Sequence, residues 1–170
     1  YDSREIYSAL GPLASKKIKQ KILTFIERAY ISSADRIIVS GPLDADVLKE
    51  IYSIDTPMDV ILNVPPYKKP IESNIAREQL KISDENRIII YQGKLLPGRG
   101  ILQTIEAMKY IDNAVLVMLG DGQLEPEIRR KIKQENLSNR VKLAGLIPYD
   151  ELHSWTCSAD IGIALFEPVS

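Results

Sequence analysis

One cysteine, one histidine and no long apolar run set the outer limits of this 170-residue sequence. With Cys157 alone no internal disulfide can form, which fits a reducing compartment. Cys157 also has no base near it in the sequence pattern and reads as a small buried hydrophobe. His153 has no second His or Cys at ligand spacing, so we assign it neither metal nor catalysis. No apolar stretch reaches the length of a membrane span, and the opening residues lack the pattern of a secretory leader. The net charge of −1 supplies no strong field toward nucleic acid, and none is expected as a partner. No internal repeat or low-complexity segment is present. What remains is a chain 45% apolar and 26% charged, long enough for one full core or two partial lobes. We expect a cytoplasmic protein. The chain opens at Tyr1 without methionine and closes at Ser170 just past a strand, so we read it as an excerpt of something longer.

In chain order, Gly11-Pro12 closes a mixed polar segment as a turn. From Ser15 a helical period sets in, with Ile18, Ile22, Phe25, Ile26 and Ala29 lining one face. Lys16, Lys17, Lys19 and Lys21 crowd its first turns, against the helix dipole. A solvated face is the first reading of that run. The second is a peripheral contact with an anionic membrane surface on its inner face, or with a lipid-linked substrate. Short strands follow at 36–40 and 58–62, around a brief helix from Asp44 to Tyr52 with Val47, Leu48 and Ile51 inward. The stretch 63–70 holds three prolines, Pro65, Pro66 and Pro70, which forbid helix and central strand alike. It is the best boundary in the chain. We divide the sequence there: residues 1–65, a linker with its lead-in helix at 66–86, and residues 87–170.

The last division alternates regularly. Strands at 87–91, 114–119, 140–144 and 160–166 are separated by helices at about 101–111, 124–135 and 148–158. That order implies βαβ units, hence a parallel, Rossmann-like α/β sheet with helices on both faces. Ligands bind such sheets at the carboxyl ends of the strands. The chain breaks there at Gly93, at Gly120 and Gly122, and at Gly145, and the last strand delivers Glu167 to the same edge. The first turn, Gly93-Lys94-Leu95-Leu96-Pro97-Gly98-Arg99-Gly100, carries two cations and leads into a helix whose first N–H groups lack partners, which suits a diphosphate. It is not a P-loop, because Arg99-Gly100 stands where that motif needs Lys and a hydroxyl. The Gly-x-Gly-x-x-Gly fingerprint of dinucleotide enzymes is also missing, which disfavours a nicotinamide dehydrogenase. Trp155 reads as core, and Asp121 as a turn residue within reach of a ribose.

These residues resemble a known family, the group 1 (family 4-like) retaining glycosyltransferases of GT-B fold. Gly93-Lys94-x4-Arg99-Gly100 resembles its Gly-Arg-…-Lys-Gly signature, with the two cations exchanged. Leu119-Gly120-Asp121-Gly122, Val141-x-Leu143-x-Gly145-x-Ile147-Pro148-x-x-Glu151-Leu152 and Ala159-Asp160-Ile161-Gly162-Ile163 resemble the next three blocks in order. Upstream, Tyr1-Asp2-Ser3-Arg4-Glu5-Ile6-Tyr7, 34–40 and Asn63-Val64-Pro65 resemble the end of the acceptor lobe and the approach to the hinge. The resemblance implies that 1–65 is the C-terminal part of the acceptor lobe and 87–170 most of a nucleotide-sugar donor lobe. By matching position, Gly93, Lys94, Arg99 and Gly100 would hold the donor diphosphate. Gly120, Gly122, Gly145, Leu146 and Ile147 would lie beside the nucleotide, and Glu167 on the sugar or ribose side. Arg4 stands where the family has a histidine, and no catalytic residue is assigned. The implied reaction moves a sugar with retention from a UDP- or GDP-linked donor to a sugar or lipid-linked acceptor, in polysaccharide or glycolipid synthesis, with no metal or cofactor. The alternative is a non-catalytic nucleotide-binding or interaction module built on a doubly wound sheet.

Overall fold

The computed structural model describes residues 1–3, 6 and 16–167. The expectations placed on Arg4, on the Gly11-Pro12 turn and on Ser15 lie outside the described residues. The chain divides into two compact units, Tyr1–Tyr67 and a second that begins at Lys68. All strand pairs are parallel.

The first unit is built around three short strands, β1 (Asp2–Ser3), β2 (Ile37–Val39) and β3 (Met58–Val60), in the order β1-β2-β3. Among the described residues two helices accompany them, α1 (Lys17–Ile31) and α2 (Pro42–Tyr52). Strand β1 carries no apolar alternation, which is why the sequence pattern did not reveal it; it exists through its pairing of Asp2 with Ile38 and Ser3 with Val39. The core gathers Ile31, Ile37, Val39, Ala45, Leu48, Tyr52 and Ile54. Glu27 joins α1 to this core by accepting hydrogen bonds from the hydroxyls of Tyr1 and Tyr52.

One burial expectation fails in this unit, and one apolar helix face lies open. Of the α1 face, Ile18, Ile22, Phe25 and Ile26 are exposed, and only Ile31 of that helix is buried. A helix of this length runs about 22 Å, whereas strands of two or three residues extend only about 10 Å, so the sheet is too small to cover it. On α2, Leu48 is buried and Ile51 packs against the core as expected, but Val47 is exposed, and Ala45 and Tyr52 are buried in addition.

The second unit is a four-stranded sheet in the order β6-β5-β4-β7, made from β4 (Arg87–Gln92), β5 (Ala114–Leu119), β6 (Val141–Gly145) and β7 (Ile161–Ile163). Its helices are α3 (Ile75–Leu80), α4 (Ile101–Ala107, continued by a 3-10 turn at Met108–Tyr110), α5 (Glu125–Gln134) and α6 (Leu152–Cys157). The continuous apolar runs of β4 and β5 are buried on both faces because helices cover both. On one face Ile89, Tyr91, Leu116 and Met118 pack against Ile101, Ile105, Ile128 and Ile132 of α4 and α5. On the other, Ile88, Ile90, Val115 and Val117 meet Ala76 of α3 and Trp155 of α6. Trp155 is therefore core, as its spacing implies. The last helix and strand are shorter than expected. Residues 148–151 form turns ahead of α6, and β7 pairs with β4 over Ile161–Ile163 alone. No described helix is long and apolar enough to cross a membrane.

Asp160 fastens β7 to the rest of this sheet. Its carboxylate accepts the Ile88 N–H at 2.7 Å and an Arg87 N–H at 2.7 Å, with Arg77 at 3.7 Å. The Ile88 N–H first and Arg87 second hold its carboxyl below the usual carboxylate range. A depressed folded pKa contributes stability that is whole above the unfolded value of about 4 and is lost as pH falls through the folded value. Asp160→Asn should therefore cost about 1–2 kcal/mol at neutral pH, and urea unfolding at pH 7 and pH 3 should show the deficit shrinking in acid.

Candidate functional site

Three glycine turns leave β4, β5 and β6 at one edge of the second sheet, and backbone hydrogen bonds bind them together. Gly93 N–H donates to Leu119 O at 3.0 Å, Leu95 N–H to Asp121 O at 2.8 Å, Leu124 N–H to Leu95 O at 3.0 Å and Gly120 N–H to Gly145 O at 2.7 Å. The second turn lies directly on the first. A Cβ at Gly120, where φ is +123°, would fall 2.1 Å from Gly93 O, and one at Gly122 would fall 2.4 Å from Leu95 O. No side chain fits at either distance. The close approach these two glycines permit in the structure is backbone to backbone, which holds the turns in register.

A cavity of about 300 Å³ opens at this edge. Gly93 and Gly120 line it, Gln92, Lys94 and Asp121 supply polar groups, and Leu119, Leu146, Ile147 and Leu152 supply apolar ones. Leu146 is largely exposed, while Ile147 also packs against the core. Five of the residues singled out in the sequence, Gly93, Lys94, Gly120, Leu146 and Ile147, thus share one cavity. Gly122 and Gly145 support the turns from outside its lining. Gln92 and Leu152 were not singled out. Gln92 is exposed at the end of β4 after four buried positions, and that polar break was the available signal.

Lys94 points its ammonium at the next turn, with Nζ 2.6 Å from Asp121 Oδ1. Both side chains are open to solvent, at 64% and 41% exposure, so the pair is worth about 0.2–1 kcal/mol. The Tyr91 hydroxyl donates to Lys94 O at 2.8 Å, which anchors the backbone beneath. Burial raises the Tyr91 hydroxyl above its ordinary value, with the Arg99 charge opposing.

Arg99, Gly100 and Glu167 form a second group outside that lining. The Arg99 guanidinium lies 4.7 Å from the centre of the Phe166 ring, a cation–π distance. Gly100 N–H donates to Glu167 Oε1 at 3.1 Å, and Glu167 N–H to Gly98 O at 2.9 Å. The segment after β7 therefore turns onto the first loop instead of extending the strand, which accounts for the shortness of β7.

Near the β6–α6 connection, His153 Nε2 lies 3.0 Å from Lys69 O, and Lys68 Nζ lies 5.8 Å from the centre of the Tyr149 ring. Cys157 is partly exposed, with its sulfur 3.7 Å from His153 Nε2. The reading of Cys157 as a buried thiol without a base nearby is thus corrected. A helix brings residues four apart together, and the sequence spacing of His153 and Cys157 already implied that meeting.

If backbone-to-backbone packing sets this edge, Gly120→Ala and Gly122→Ala should each destabilise the fold by about 2–4 kcal/mol. Gly162→Ala, at a position with open space around it, should stay within about 0.5 kcal/mol of the native chain on the same thermal unfolding measurement.

Residues 72–166 match the family described as Glycosyl transferases group 1. A lipopolysaccharide 1,2-N-acetylglucosaminetransferase of Salmonella typhimurium is 26% identical to this chain, over 68% of this chain and 35% of that protein. An uncharacterised glycosyltransferase of Methanocaldococcus jannaschii is 26% identical over 80% of this chain and 36% of its own length. The chain therefore spans about a third of the curated relatives it matches. Among solved structures, Anabaena HepE in complex with UDP and glucose superposes with a TM-score of 0.67 at 17% identity, covering 84% of this chain and 41% of that one. Sucrose-phosphate synthase from Thermosynechococcus elongatus gives 0.66 at 24% identity, covering 88% of this chain and 40% of that one.

Proposed function

The chain belongs to the glycosyl transferases group 1, with the α/β fold of the GT-B enzymes, and from that premise we propose that it carries the donor site of a sugar transferase. The reaction is transfer of a sugar, with retention, from a nucleoside diphosphate to a sugar or lipid-linked acceptor in polysaccharide or glycolipid synthesis. In this reading 1–65 is the end of an acceptor lobe, 66–86 the hinge with its lead-in helix, and 87–170 the donor lobe. The observation that carries it is the cavity in which a lysine-bearing glycine turn faces Leu146, Ile147 and Leu152. Such a cavity offers charge for phosphates at one end and apolar surface for a base at the other.

Lys94 and Arg99 are the diphosphate ligands, with Gly93 and Gly100 shaping their turn. Gly120, Gly122, Gly145, Leu146 and Ile147 flank the nucleotide, and Glu167 faces the sugar or ribose side. As the sugar–phosphate bond breaks, charge accumulates on the departing diphosphate, and fixed cations stabilise that state more than the ground state. UDP is the first nucleotide to test, because HepE is crystallised with it; GDP is the second. Family membership favours the transferase over a non-catalytic binding module.

UDP or GDP should raise the melting temperature of the chain, and Lys94→Ala with Arg99→Ala should remove that rise while leaving the melting of the unliganded protein nearly unchanged. Equal protection of the double variant would refute the diphosphate assignment.

Peripheral contact with an anionic membrane is part of the same proposal. Lys16, Lys17, Lys19 and Lys21 are exposed, as are Ile18, Ile22 and Phe25 beside them, a combination suited to a charged lipid surface. Co-sedimentation with phosphatidylglycerol vesicles should fall at least about fivefold when the four lysines become glutamine, and neutral vesicles should retain neither form.

A further inference from the structure

The ammonium proposed to grip a diphosphate is already engaged. Lys94 Nζ lies 2.6 Å from Asp121 Oδ1, and the scaffold makes that meeting reproducible. Leu95 N–H donates to Asp121 O, the Tyr91 hydroxyl holds Lys94 O, and Gly120 and Gly122 leave no space for the second turn to be displaced by a side chain of its own. Both charged groups line the same cavity, and both side chains reach solvent. A pair so placed exchanges partners readily, because water and ions screen it on its open side.

We infer that Asp121 is the resting counter-ion of Lys94: it holds the ammonium in the empty site, yields it to an incoming diphosphate, and recaptures it when the nucleoside diphosphate leaves. The inference rests on the diphosphate reading of the turn. A diphosphate displaces the carboxylate because it carries more charge and can engage Arg99 as well, which a single carboxylate on the second turn does not touch. Once displaced, the Asp121 carboxylate stays within a few ångströms of the phosphates, since its backbone is pinned to Leu95, and its like charge opposes them. The site therefore holds its product less tightly than its cations alone would allow. Asp121 acts through Lys94 and is a positioning residue, not a catalytic one.

A double-mutant cycle tests this. The native chain, Asp121→Asn, Lys94→Ala and the double variant are titrated with UDP, GDP and inorganic pyrophosphate by calorimetry, and dissociation is followed by stopped flow. Removing an exposed competing carboxylate should tighten binding by about three- to tenfold, with the change in the dissociation rate. With Lys94 absent, the same substitution should gain less than about twofold. Asp121→Glu, which keeps the carboxylate, should behave as native, and Asp121→Ser serves in the cycle if the asparagine variant melts early. Unchanged or weaker binding of Asp121→Asn, where the native chain binds and Lys94→Ala weakens it, overturns the inference alone. So does an equal gain in the Lys94→Ala background, which would reduce Asp121 to general repulsion. If the native chain binds none of the three ligands, or Lys94→Ala binds as tightly as native, the diphosphate reading fails and takes the inference with it.

Discussion

The contact between the backbones of the first two βα turns governs this edge of the molecule, and its tightness follows from the register of β4 on β5. Gln92 lies opposite Leu119, so the chains leaving these strands emerge side by side, and only glycine lets the second chain lie on the first. Gly93 N–H and Leu95 N–H then find acceptors on the neighbouring turn, and Leu95 is fully buried beneath it. Leu124 N–H returns to Leu95 O, which also fixes where α5 begins. The Gly120 N–H carries the connection on to Gly145, where the β5–β6 pairing shifts register between Met118 and Leu119. A side chain at Gly120 would break this arrangement before it could affect any ligand.

The orientation of Lys94 is a consequence of that packing. Its neighbour Leu95 must turn inward to be buried, which leaves Lys94 outward and beside the one acidic residue of the second turn. The apolar wall across the cavity has a different origin. Leu146 and Ile147 follow the last residue of β6, where Gly145 ends the strand, and Ile147 is held by the core on its other side.

How much of this was legible in the sequence depends on what each residue's pattern reports. Strand β5 and the centre of β4 were readable because burial on both faces makes those positions apolar, and α3 was readable because its short period was bounded by turns. Periodicity reports an apolar stripe but not whether a partner of sufficient size exists, and the apolar face of α1 is exposed. Strand β1 is two residues long and has no pattern of its own. The glycines of the sheet edge were legible as turns and as candidates for a ligand. That two of them are occupied by neighbouring backbone depends on a strand register that no local signal encodes. The Lys94–Asp121 pair and the grip of Glu167 on Gly98 and Gly100 join residues 27 and 67 or more positions apart, beyond the reach of any spacing rule. His153 and Cys157, four apart on one helix, were within it.

The two cations of the first turn are held in unlike ways, and the difference bears on how an anion would be received. A carboxylate beside Lys94 cancels its charge at short range, whereas the Phe166 ring orients the Arg99 guanidinium through a quadrupole that carries no net charge. Glu167 gives one carboxylate oxygen to the Gly100 N–H, which fixes that anion on the same loop as Arg99 while it keeps its charge. On the proposed reading Lys94 is recruited only by a ligand charged enough to compete with Asp121.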